Sequence, residues 1–274
     1  MALDTLQNCI RYDGQELKLF GLGLTSLPNC FPSNLRSLDV ARNRLREIPQ
    51  NLPLSLEALD ISSNELASLE NLPPCLQRMN IAGNNIEVVH ALPHTLVACD
   101  VSGNALSYLP DLPPHLEKLR AADNVIATVP ALPASLTELN LAGNLIESLP
   151  VLPGGLFRLE VGCNYLSVLP DLPGTLVELE AGTNQLEMLP ALPEGLEELD
   201  VNANFLSELP ETPRSLVNLY VNFNRLRRLP DSIRRPDCLT VVTAEENPLE
   251  ASDVLLLALR QGLRYRADDM APPA

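Results

Sequence analysis

Carboxylates carry most of the reactive side chains in this chain of 274 residues, and they are unevenly placed. Residues 130 to 212 hold thirteen acids against one cation, Arg158, so this block contributes −12 to a formal net charge of −16. Its flanks are basic, with Arg36, Arg42, Arg44 and Arg46 before it and Arg214, Arg225, Arg227, Arg228, Arg234 and Arg235 after it. Two further groupings have residue types that could do chemistry. His90, His94, His115 and Cys75 are the types of a zinc site, but their spacing is loose and reads as solvated loops. Acidic edges such as Ala122-Asp123-Asn124 could hold calcium, although solvated acids are the simpler reading. No glycine-rich phosphate loop and no Ser/His/Asp frame occurs. No cofactor or metal is expected, and nothing points to a nucleic-acid partner.

The elements that must position these groups repeat. Asn43, Asn64, Asn84, Asn104, Asn124, Asn144, Asn164, Asn184, Asn204 and Asn224 recur every twenty residues, with one step of twenty-one. Each sits in the frame Leu-x-x-Leu-x-Val-x-x-Asn-x-Leu-x-x-Leu-Pro-x-Leu-Pro-x-x, and a period of this length means stacked coils rather than one globular core. Within one coil, Leu119-Arg120-Ala121 alternates in, out, in, as a short strand does. The asparagine follows where the chain turns, and its amide can satisfy buried backbone groups, so stacked coils form an asparagine ladder. Proline pairs such as Pro130 and Pro133 disfavour helix and leave the opposite side extended or polyproline-like.

Repeats of this kind are leucine-rich repeats. The short form with Leu-Pro-x-Leu-Pro resembles that of the bacterial effectors typified by YopM and the IpaH-type ubiquitin ligases, over about residues 17 to 262. The stretch Leu17 to Pro28 resembles the family's atypical first repeat, with Leu22 at the asparagine position. Leu229-Pro230-Asp231-Ser232-Ile233 and Thr243-Ala244-Glu245-Glu246-Asn247-Pro248-Leu249 resemble its closing repeat. The resemblance implies a leucine-rich-repeat solenoid with parallel strands on the concave face. It also implies a type III secreted effector that acts in the host cytoplasm, either as a stand-alone scaffold or as the substrate-recognition domain of a longer ligase. The ligase nucleophile is a Cys-x-Asp loop, and none of the six cysteines has an Asp two positions on, so no catalysis is expected of this chain. A structural or envelope-associated repeat protein is the third reading.

Four segments follow: a short leader at 1–16, repeats over 17–236, a closing repeat and capping helix at 237–262, and a tail or linker at 263–274. Leu3, Leu6 and Ile10 have helical spacing in the leader, and no classical signal peptide precedes it. The capping helix is expected from Ser252, as N-cap, to Gln261, with Asp253 favourable to the dipole and Gly262 past the end. Its apolar run is too short to span a membrane. Cys9, Cys30, Cys75, Cys99, Cys163 and Cys238 read as free thiols, with Cys99 replacing a core leucine and a Cys9–Cys30 bridge as the minor alternative.

Candidate binding residues follow from the strand register. Glu160, Glu180 and Asp200 fall in one outward column, and Glu138, Arg158, Glu178 and Glu198 in the next. Carboxylates on strands about 4.8 Å apart repel one another and give folding nothing, which leaves two readings, solubility of a leucine-rich protein and a surface for a host protein with a basic face, and their concentration on the concave columns favours the second. Beyond them Tyr220 follows the acids in their column, Asn222 and Phe223 stand where most earlier coils have smaller residues, and the three suit an anchor.

Overall fold

The computed structural model describes residues 11–12, 14–28, 30–49, 52–234 and 239–268. The leader residues Leu3, Leu6, Ile10 and Cys9, together with Arg235, Cys238 and residues 269–274, lie outside that set. The chain winds as a solenoid whose coils each give one three-residue strand. These are β2 (Glu16–Lys18), β3 (Ser37–Asp39), β4 (Ala58–Asp60), β5 (Arg78–Asn80), β6 (Ala98–Asp100), β7 (Lys118–Arg120), β8 (Glu138–Asn140), β9 (Arg158–Glu160), β10 (Glu178–Glu180), β11 (Glu198–Asp200), β12 (Asn218–Tyr220) and β13 (Val241–Thr243). They pair in parallel, in sequence order, and β1 (Arg11–Tyr12) joins the edge antiparallel to β2.

Each coil repeats one solution. In the coil of β8, Leu136, Leu139, Leu141 and Ile146 are fully buried, each contributing roughly 1.5–3 kcal/mol of transfer free energy before chain entropy is charged. The second proline of the frame starts the turn that feeds the strand: Leu136 N–H donates to Pro133 C=O at 3.1 Å, and the same bond joins Leu156 to Pro153 and Leu176 to Pro173. Proline suits that position because only its carbonyl is needed. The residue before each asparagine takes the left-handed region, φ 53–56° at Arg42, Ser63, Asp123, Cys163, Thr183, Ala203 and Phe223, with glycine at 83, 103 and 143. That twist carries the ladder one step past the strand, as in Phe223 N–H to Glu245 C=O at 2.8 Å.

The asparagines turn inward. Asn144 donates through Nδ2 to Ala121 C=O of the preceding coil (2.9 Å) and to Leu141 C=O of its own (3.0 Å), and its Oδ1 accepts from Ile126 N–H (3.0 Å). Nine of the ten are buried and Asn104 is half-buried. The first coil has Leu22 at this place, and Asn43 accepts from both Leu22 and Leu24 N–H.

At the far end, α1 runs Ala251–Asp268, longer than its composition suggests. Gly262 does not end it: a helical glycine costs only about 1 kcal/mol, and Leu263-Arg264-Tyr265-Arg266-Ala267 are tolerated in a helix and lack proline. Nor is Ser252 the N-cap. The Glu250 carbonyl receives the amides of Asp253 (3.0 Å) and Val254 (3.2 Å), so Ser252 lies inside the first turn. Asp253 is 1% exposed and ties α1 to the last coil by accepting from Leu229 N–H (3.1 Å) and Arg234 (2.8 Å). Among the described residues no helix is long and apolar enough to cross a membrane.

Candidate functional site

Every strand from β3 to β12 buries its middle residue in the core and sets the two flanking it on the concave surface, as the buried Leu139, Leu159, Leu179 and Leu199 show. Parallel pairing then lines up the flanking residues. Glu138, Arg158, Glu178 and Glu198 are successive Cα partners, and so are Asn140, Glu160, Glu180, Asp200 and Tyr220.

The electrostatics differ from simple like-charge crowding. Lys118 reaches Glu138 at 2.5 Å and Arg120 lies 3.8 Å from it. Arg158 bridges Glu160 (3.4 Å) and Glu178, and Asn140 Nδ2 donates to Glu160. Burial alone would lower the Arg158 pKa, but Glu178 and Glu160 raise it. Asp200 Oδ1 accepts from Asn202 N–H two residues on (2.9 Å), closing the end of its strand. The expectation that these acids give folding nothing is therefore corrected for Glu138, Glu160 and Glu178, whose long side chains find partners across coils, and for Asp200, which closes its own strand. Glu180 and Glu198 form no ion pair among the described residues, and desolvation, then Glu160, Glu198 and Asp200, raise the Glu180 pKa against the pull of Arg158.

Beyond the acids, Tyr220 is half-buried beside Asp200, while Phe223 is 59% exposed on the coil edge. Asn222 is engaged structurally: its Nδ2 donates to Thr243 Oγ1 (2.7 Å) and its Oδ1 accepts from Glu245 N–H (2.7 Å), binding β12's coil to the closing one. An apolar flank accompanies this end, with Tyr165 and Phe205 exposed and Arg225 stacked 4.4 Å over the Phe205 ring.

Sequence reasoning passed over three features. The N-terminal half of the concave face holds a trough of about 410 Å³, lined by Arg78, Lys118 and Arg120 against Asp39, Asp60 and Asp100, where Ala58 and Ala98 leave room. The small residues of that column were the available signal. Asp39, Asp60, Asn80, Asp100 and Asn140 cap the amide two residues on, as Asp200 does. Asn247 is a further ladder rung, accepting from Leu226 N–H (3.0 Å) and donating to Val221 C=O (2.8 Å).

The other reactive types stay apart. His90 and His94 line a convex groove of about 540 Å³, and no group of three or more metal-ligating side chains occurs among the described residues. Cys99 lies in the core, where burial and then Asp100 push its thiol up to about 12, away from the thiolate form that a nucleophile needs. Cys30, Cys75 and Cys163 are free and exposed.

No family model matches this chain, and no curated protein does. Solved structures do. YopM from Yersinia enterocolitica WA-314 is 33% identical over 91% of this chain and 68% of its own length, with a TM-score of 0.58. YopM from Yersinia pestis is 29% identical over 89% of this chain and 93% of its own, at 0.52. The leucine-rich repeat domain of APL1B, at 20% identity, 94% and 89% coverage and a TM-score of 0.69, shares the fold alone. With its coil frame, asparagine ladder and likeness to YopM together, the chain belongs to the bacterial leucine-rich-repeat effector family.

Proposed function

We propose that this chain is the protein-recognition module of a secreted bacterial effector. It acts in the host cytoplasm, engages a basic surface of a host protein with its concave face, and does so without chemistry of its own. The observation that carries this reading is Glu180, an outward carboxylate whose pKa is raised by partial burial and then by three neighbouring acids, with Glu198, which forms no ion pair among the described residues, close by. A cationic partner surface relieves that repulsion, and its long-range field speeds encounter. Tyr220 and Phe223, at the end of the strip, supply apolar contact that slows departure.

The test is binding kinetics against a partner captured from host-cell lysate, for the wild type and for Glu180→Lys/Glu198→Lys, at two salt concentrations. These two positions are chosen because neither holds a coil together. The on-rate is expected to fall about tenfold in the variant and to lose most of its salt dependence. Unchanged kinetics at both salts would place the interface elsewhere.

A further inference from the structure

The convex side carries an alternation that a twenty-residue period hides. At the turn before each strand, Ser55, Thr95, Ser135, Thr175 and Ser215 occupy every second coil. Each hydroxyl points at two carbonyls of the preceding coil: Ser135 at Pro114 (3.0 Å) and Leu116 (2.7 Å), Thr175 at Gly154 (3.0 Å) and Leu156 (2.7 Å), and Ser215 at Glu194 (2.8 Å) and Leu196 (2.6 Å). Ser55 and Thr95 do the same. One hydroxyl proton shared between two acceptors makes a short clasp from coil to coil. Of the intervening coils, the first has Asn34 there, whose Nδ2 reaches Gly14 C=O (2.6 Å), whereas Cys75, His115, Gly155 and Gly195 at the next four make no such bond among the described residues.

We propose that the solenoid is a stack of two-coil blocks, clasped within each block on the convex side and free to bend between blocks. The blocks pair β3 with β4, β5 with β6, β7 with β8, β9 with β10 and β11 with β12. Four hinge lines separate them, and opening at those lines changes the curvature of the concave face without breaking its sheet. The backbone does not itself distinguish the two kinds of junction. Amides entering clasped strands, such as Thr137 to Glu117 C=O (2.8 Å) and Val177 to Phe157 C=O (2.9 Å), match those at hinge lines, such as Phe157 to Thr137 C=O (2.8 Å) and Glu197 to Val177 C=O (2.9 Å). Any difference in opening must come from the side chains.

Native-state hydrogen exchange on the whole chain tests this. Protection at Val97, Thr137, Val177 and Val217 is expected to exceed that at Gln77, Glu117, Phe157 and Glu197 by about three- to tenfold, the value of one modest hydrogen bond. Thr175→Val is expected to bring Val177 down to the level of Phe157. Adding a clasp is the converse experiment. A Cβ at Gly195 would lie 3.8 Å from Gly174 C=O, the equivalent acceptor, with no closer atom. Gly195→Ser is therefore expected to slow exchange at Glu197 about three- to tenfold relative to Gly195→Ala, which controls for the loss of glycine's backbone freedom. Uniform protection along the array, or equal exchange in the serine and alanine variants, would overturn the proposal.

Discussion

The two sides of each strand differ in how closely one coil copies the next. Inward, Leu59, Met79, Cys99, Leu119 and Leu139 are all apolar and buried, and the asparagine behind them makes the same bonds coil after coil. Outward, the partners of a single column run Ala58, Arg78, Ala98, Lys118, Glu138 and Arg158. Coil geometry is over-determined from within, so the first outward column is free to vary. The second column is only partly free, because Asp39, Asp60, Asn80, Asp100, Asn140 and Asp200 also close the ends of their strands.

The sharpest challenge to that contrast is Asn144→Leu. It strands Ile126 N–H and takes one of two asparagine donors from each of the carbonyls of Ala121 and Leu141, which keep Asn124 and Asn164, and chemical denaturation is expected to show a loss of about 1–3 kcal/mol. An unchanged midpoint would mean that the interior does not set the coil. Asp200 divides the second column more finely. Asp200→Ala removes the bond to Asn202 N–H and is expected to cost about 1 kcal/mol, whereas Asp200→Asn keeps an acceptor and is expected to be near neutral. If the two variants are equally destabilised, charge rather than the cap matters there.

The smallest effect belongs to Glu180. Its folded pKa is raised above the ordinary 4.5, so the native state holds this proton more tightly than the unfolded chain and loses stability as pH rises through that raised value. Glu180→Gln carries no such penalty. Its stability is expected to match the wild type below pH 4.5 and to exceed it slightly at neutral pH, as thermal melts across that range would report. A variant less stable at pH 7 would show that Glu180 is paired.

Much of this was readable from spacing alone. The ladder from Asn43 to Asn224 and the outward columns both follow from a repeat whose one lengthened step, from Asn43 to Asn64, leaves the columns aligned. Asn247 escaped because the closing coil lengthens its step to twenty-three residues. The serine and threonine clasps escaped because their period is two coils, so a frame averaged over single coils erases them. Partners such as Arg158 with Glu178 depend on how far a long side chain swings across a junction, which spacing does not encode. Left-handed positions were hidden for another reason: Arg42, Cys163 and Phe223 are not residue types that advertise that conformation.

The asparagine ladder also has a direction. From Asn84 to Asn224 each Oδ1 receives an amide eighteen residues upstream, as Asn164 does from Ile146 and Asn184 from Leu166. A coil is thus completed by its successor and not by itself. On a ribosome, where the chain emerges N-terminus first at about 5–20 residues per second, each finished turn waits roughly 1–4 s for the residue that locks it. The last turn of a growing array is therefore unsealed until the next coil has been made.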